Sequence, residues 1–195
     1  MNKFGLIGYP LGHSFSKNFF NQKFQSENID AEYVNFEIPT IGELSNILLS
    51  NPNLAGLNVT IPYKEQIIPY LDELDADAKA IGAVNVIKIR RQKGKLKLIG
   101  YNSDIIGFMD SIEPLLEAQH KKALILGTGG STKAIFHGLK KLGVEAKFVS
   151  RTAKEGMFKE VVLTHMGYDP GLRKLVQEEK VTCHMIPLGN MMSLF

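Results

Sequence analysis

The stretch LILGTGGSTKAIFHGLKKLG, residues 124–143, constrains the fold more than any other part of this chain. An apolar run enters a glycine-rich turn and leaves as an amphipathic segment, and a second apolar run, EAKFVS, follows at 145–150. Strand, helix and strand in that order make a βαβ unit, whose crossover calls for a parallel sheet. Gly127 permits the tight turn and Gly129 lets backbone approach a pyrophosphate. The amides that open the next helix would face such an anion together with the helix dipole. Gly130 follows directly, and Thr132 stands where the usual fingerprint has its third glycine. The second strand ends in FVSRT, so Arg151 occupies the place where an acidic residue would hold a ribose 2′-hydroxyl. A guanidinium there suits a 2′-phosphate, and NADP is expected over NAD.

A chain of 195 residues, 44% hydrophobic and 22% charged, can bury one large core or two small ones. Its formal charge of +3 is too small to argue for nucleic acid, and its cations are scattered apart from short pairs such as Arg90-Arg91 and Lys140-Lys141. The single cysteine, Cys183, excludes an internal disulfide. No basic-then-apolar leader pattern and no apolar run of membrane-spanning length is present, so a reducing, cytoplasmic setting without a membrane partner is expected.

Upstream of the βαβ unit, short apolar runs alternate with amphipathic segments, and the fold class is α/β throughout. KFGLIG (3–8) predicts a strand, and Ser14 predicts the cap of a helix carrying Phe15, Phe19, Phe20 and Phe24 on one side. AEYVNFEI and LAGLNVTI predict strands, with a helix over TIGELSNILLS between them. AVNVIKIRR and KLKLIGYN predict a hairpin turning at Gln92-Lys93-Gly94. A helix is expected from Asp104 to about Glu117. Polar residues collect at the strand ends: Ser14 and Ser16, then Asn58, Thr60 and Lys64, then Asn85, then Asn102 and Asp104. Amides, hydroxyls, one ammonium and one carboxylate can hold a polyhydroxylated acid and move a proton. Singly, each has a plainer role, as helix cap, buried-backbone partner or solvated surface group.

FGLIGYPLGHSFSKNFFN, AGLNVTIPYKE, AIGAVNVI, GYNSDIIGF, LGTGGSTKA and VSRT occur in the order and at about the spacing found in shikimate dehydrogenases, and the chain resembles that family from Phe4 to Thr152. The resemblance implies reduction of 3-dehydroshikimate with NADPH, a step of the shikimate pathway to the aromatic amino acids. It implies an N-terminal α/β substrate-binding domain over residues 1–103 and an incomplete Rossmann-type NADP-binding domain over 104–195. Carried over by motif, Ser14, Ser16, Asn58, Thr60, Asn85 and Asp104 would contact shikimate, with Lys64 and Asp104 as the catalytic pair. Gly127, Gly129 and Gly130 would hold the NADP pyrophosphate, and Ser150, Arg151 and Thr152 would face the adenosine phosphate. Val86, Ser103 and Ser150 replace the threonine, threonine and asparagine common at those places.

After about residue 152 the resemblance fades to MIPLGNM, and the family's closing glutamine segment is absent. Asp169 and Pro170 can start a helix, and KVTCHMI can then form a third strand, about one mononucleotide half of a Rossmann sheet. Such a sheet would expose an edge, so self-association into a homo-oligomer is an expectation. Three functions stay open on these residues: an NADP-dependent shikimate dehydrogenase, a catalytically inactive shikimate-binding module, and a quinate/shikimate dehydrogenase. Both Ser14 and Ser16, which bear on the last, are present.

Overall fold

The structure, a computed structural model, describes residues 1–12, 14–126, 131–150 and 158–159. The chain divides into two compact units, Met1–Ser103 and Asp104–Phe195.

The first unit is built on a six-stranded mixed sheet in the order β2-β1-β3-β5-β6-β4. Its strands are β1 (Asn2–Gly8), β2 (Ala31–Glu37), β3 (Leu54–Val59), β4 (Glu73–Leu74), β5 (Val86–Gln92) and β6 (Lys95–Tyr101). β1 lies parallel to both β2 and β3, whereas β5 runs antiparallel to β3 and to β6. Alternation along β1 sends Phe4 and Leu6 to one face and Ile7 to the other. On the first face they meet Phe20 and Phe24 of helix α1 (Ser16–Ser26) with Leu11 and Tyr33. On the second, Ile7 joins Leu54, Leu57, Val59, Ile87 and Leu98 in the main core, with Leu44 and Ile47 of helix α2 (Leu44–Ser50).

Leu54 and Leu57 reach the same core although three positions separate them, which strict alternation forbids. The register against β1 explains it: Lys3 pairs with Leu54 and Phe4 with Gly56, so Ala55 is an extra residue that resets the phase.

The remaining helices of this unit are short. α3 is one turn, Tyr63–Gln66, and α4 covers Ala76–Ile81, capped where the Asp75 side chain accepts from the Ala78 amide at 2.7 Å. The hairpin β5–β6 closes on two residues, Lys93 and Gly94, both at positive φ (49° and 75°), while Gln92 is the last paired residue opposite Lys95. The turn is therefore one residue shorter than the sequence suggests, as a primed two-residue hairpin requires.

Two helix boundaries also differ from expectation. α1 begins at Ser16, with Phe15 at its cap position and no capping side chain, so Ser14 is not the cap. Phe15 is exposed, and only Phe20 and Phe24 enter the core, because at 3.6 residues per turn Phe15 stands about 140° and about 180° around the helix from them. In the second unit α5 spans Asp104–Ile112 rather than reaching Glu117, because Pro114 lacks the amide that would continue it and a 3-10 turn over Glu113–Leu115 follows.

The second unit carries the expected βαβ crossover: β7 (Lys122–Leu126), α6 (Thr132–Lys141) and β8 (Glu145–Ser150), with β8 parallel to β7. Ile135 and Leu139 of α6 pack with Ile125, Val144 and Phe108 of α5. Lys140 and Lys141 sit in the last turn of α6, where cations complement the helix dipole. A two-residue strand β9 (Phe158–Lys159) pairs parallel with β8, giving the order β7-β8-β9. Among the described residues Phe158–Lys159 is the third strand of this sheet; the expected KVTCHMI strand and the Asp169 helix lie outside the described residues. Among the described residues no helix is long and apolar enough to cross a membrane.

Candidate functional site

The polar residues of the first unit gather at one end of its sheet because of strand direction. β1, β2 and β3 are parallel and finish there, antiparallel β5 starts there, and β6 finishes there, with Asn58 opposite Val86 and Val86 opposite Tyr101. Main-chain hydrogen bonds beyond the ladders bind these ends together. Ile38 N–H donates to Gly8 (3.2 Å), Thr60 to Ile7 (2.9 Å), Tyr9 to Ile61 (3.1 Å), Val59 to Asn85 (2.8 Å) and Asn85 to Tyr101 (3.0 Å). Ligands of open α/β sheets bind at such carboxyl ends.

Ser14 and Ser16 follow β1. The loop before them is fixed where the Leu11 amide donates to Glu37 Oε2 at 3.1 Å and the Ser14 amide donates to Leu11 O at 3.0 Å. The Ser14 hydroxyl oxygen is enclosed and has no hydrogen-bond partner among the described residues, which is costly for a polar group unless a ligand or water completes it. Ser16 opens α1, with its hydroxyl beside the Tyr33 phenol. Tyr33 donates to Asn58 Oδ1 at 2.8 Å, and Asn58 Nδ2 stands 3.5 Å from Asn85 O. Burial drives the Tyr33 phenol well above its ordinary range, with the Ser16 hydroxyl opposing part of that shift.

Asn85 and Asn102 are buried. Asn85 clips the start of β5 to the end of β6, donating from Nδ2 to Ser103 Oγ (3.0 Å) and accepting from the Ser103 amide at Oδ1 (2.7 Å). Asn102 donates to Ala83 O at 3.0 Å, tying the end of β6 to the segment before β5. Lys64 is half-buried on the single turn α3, whose position is set from two sides. Val84 N–H donates to Lys64 O at 2.7 Å, and the buried Tyr63 hydroxyl donates to Ile38 O at 2.6 Å. Burial, with Glu43 and Tyr9 nearby, raises the Tyr63 pKa.

The first unit thus brings Tyr33, Asn58 and Asn85 into one hydrogen-bonded set and places Ser14, Ser16, Thr60 and Lys64 at the same sheet end. Asp104, the first residue of α5, belongs to the second unit. Sequence reasoning missed Tyr33, whose hydroxyl donates to Asn58, and Asn21, which holds Tyr33 in place. The signal was a hydroxyl-bearing aromatic at an inward position of the alternating run AEYVNFE.

In the second unit the parallel βαβ arrangement and the N-terminus of the ten-residue α6 suit a dinucleotide phosphate. Gly127, Gly129, Gly130, Arg151 and Thr152 lie outside the described residues, and Ser150 closes β8. Among the described residues no cluster of histidine, cysteine or carboxylates could hold a metal ion.

Residues 6–87 match the family model for the shikimate dehydrogenase substrate binding domain. A curated NADP(+)-dependent shikimate dehydrogenase from Methanosphaera stadtmanae is 40% identical over 153 residues, covering 77% of this chain and 52% of the relative. The crystal structure of the Aquifex aeolicus shikimate dehydrogenase superposes with a TM-score of 0.69 at 36% identity, over 91% of this chain and 60% of that one. A shikimate dehydrogenase solved in complex with NADP+ gives a TM-score of 0.64 at 38% identity, over 76% of this chain and 50% of that one. The chain spans about half the length of the curated relatives it matches.

Proposed function

Because this chain belongs to the shikimate dehydrogenase family, we propose that it serves the NADP-dependent interconversion of shikimate and 3-dehydroshikimate. The observation that carries the reading is the polar sheet end of the first unit, which falls largely within the matched residues 6–87. Its hydroxyls and amides, from Ser14, Ser16, Asn58, Thr60 and Asn85, match the hydroxyls and carboxylate of a polyhydroxylated acid, and the enclosed Ser14 oxygen has no partner among the described residues, one that such a ligand would supply.

Oxidation of a ring alcohol requires that its hydroxyl proton leave as charge develops on the oxygen. Lys64 is the group for that proton, accepting it in oxidation and returning it in reduction, with Asp104 as its acidic partner. The residues that would hold the cofactor are Gly127, Gly129 and Gly130 for the pyrophosphate and Ser150, Arg151 and Thr152 for the adenosine phosphate. NADP, when bound, supplies the two-electron acceptor.

The test is NADPH formation, followed by near-ultraviolet absorbance, on mixing the purified chain with shikimate and NADP, with Lys64→Ala alongside. The variant is expected to lose about 100-fold or more in turnover while its shikimate affinity, measured by calorimetry, stays within about tenfold. Near-normal turnover in the variant removes Lys64 from the mechanism. Calorimetric shikimate binding by folded chain without NADPH formation supports the binding-module reading instead, and faster turnover of quinate than of shikimate supports the quinate reading.

A further inference from the structure

Tyr33 is fixed at both its main chain and its ring. Asn21 of α1 grips its main chain at two points, donating from Nδ2 to Tyr33 O at 2.9 Å and accepting from Tyr33 N–H at Oδ1 at 2.8 Å. Those outward-facing groups of the edge strand β2 would otherwise lack a partner on that side. The ring stacks on Phe20 with centroids 4.8 Å apart and planes 19° from parallel, and the residue is 2% exposed. With backbone and ring both fixed, the hydroxyl has one place to be, and there it donates to Asn58 Oδ1.

That placement decides how Asn58 is oriented. The Asn85 carbonyl, which already accepts from the Val59 amide, can only accept, so it favours the NH2 end of the Asn58 side chain. The Tyr33 O–H donates to the carbonyl end, and the two neighbours agree on a single amide orientation. We propose that Tyr33 is a positioning residue for the ligand: its hydroxyl holds the Asn58 amide so that an N–H, not its carbonyl oxygen, is offered to a ligand oxygen. The inference rests on the reading that this sheet end holds shikimate. Tyr33 acts through Asn58, and Tyr33→Phe removes the coupling while leaving the ring on Phe20.

A double-mutant cycle on the full chain tests this, with shikimate binding read by calorimetry for wild type, Tyr33→Phe, Asn58→Ala and the double variant. Each single change is expected to weaken binding about tenfold, and the double variant to be no more than about threefold worse than the weaker single, because Tyr33 acts through Asn58. Losses that multiply, or a Tyr33→Phe chain that binds as wild type does, overturn the proposal. The side-chain amide resonances of Asn58 in the ligand-free chain give a second reading that needs no substrate. They are expected to shift in Tyr33→Phe, and unchanged resonances overturn the coupling even if shikimate binding fails. Failure of wild type to bind shikimate, with the resonances shifting, overturns the assigned substrate and leaves the coupling standing.

Discussion

In the first unit the candidate side chains are tied to one another across strands distant in sequence, Tyr33 to Asn58 and Asn85 to Ser103. In the second, the described βαβ unit is held by an apolar cluster around Phe108, Ile125, Ile135 and Leu139. The chemistry assigned to the second belongs to main-chain amides at a helix start. A pocket of side chains needs a wide sheet to bring distant residues together, whereas a phosphate site needs only one correctly wound crossover. The first unit accordingly has the larger described core, with Ile7, Leu54, Ile67 and Ile87 almost wholly buried.

The largest expected effect that probes this contrast is Leu54→Ala. Leu54 is 0% exposed at the bulge between β1 and β3, and its loss is expected to cost about 2–5 kcal/mol in urea unfolding. Hydrogen exchange should quicken through β1, β3 and β5 while β7 and α6 keep their rates. Equal acceleration in β7 and α6 would show the two units opening together and break the comparison.

Much of this architecture is readable from sequence because it depends on local periodicity. The alternation in β1 and β2, the amphipathic spacing of α6 and the hairpin around Lys93-Gly94 all declare themselves within ten residues or so. What was misread has equally local causes. Ser14 has the chemistry of a cap but the helix starts two residues later, and Pro114 stops α5 where apolar spacing alone would carry it on. Tyr33 stayed hidden because its partner lies 25 positions away, a separation visible only after β2, β1 and β3 are laid side by side. The extra residue Ala55 was invisible for the same reason, since a bulge exists only relative to its partner strand.

A smaller effect sharpens the comparison through pH. Tyr33 and Tyr63 both have pKa values raised above the ordinary 10.0 by burial, and both belong to the first unit. As pH rises past about 10 the unfolded chain releases these protons and the folded chain keeps them, so stability present below that pH is lost above it. Each such tyrosine contributes a slope of up to about 1.4 kcal/mol per pH unit. Tyr33→Phe should therefore unfold in urea with a shallower alkaline decline than wild type. An identical decline would show that the Tyr33 phenol is not sequestered as its hydrogen bonds imply.

The smallest effect separates the two ends of the first sheet. β5 starts at the polar end and runs away from it, so the Lys93-Gly94 turn closes the far end. Gly94 sits at φ 75°, where a Cβ meets no neighbouring atom but is strained against its own backbone. Gly94→Ala should lower stability by about 1 kcal/mol, and Lys93→Asn, which suits the adjoining φ of 49°, should recover part of it in the same chain. Shikimate affinity should not move in either, because the turn shares none of the hydrogen bonds that join Tyr33, Asn58 and Asn85. A change in affinity with the turn substitution would mean that strand register, and not the hydrogen bonds at the polar end, sets the geometry of the site.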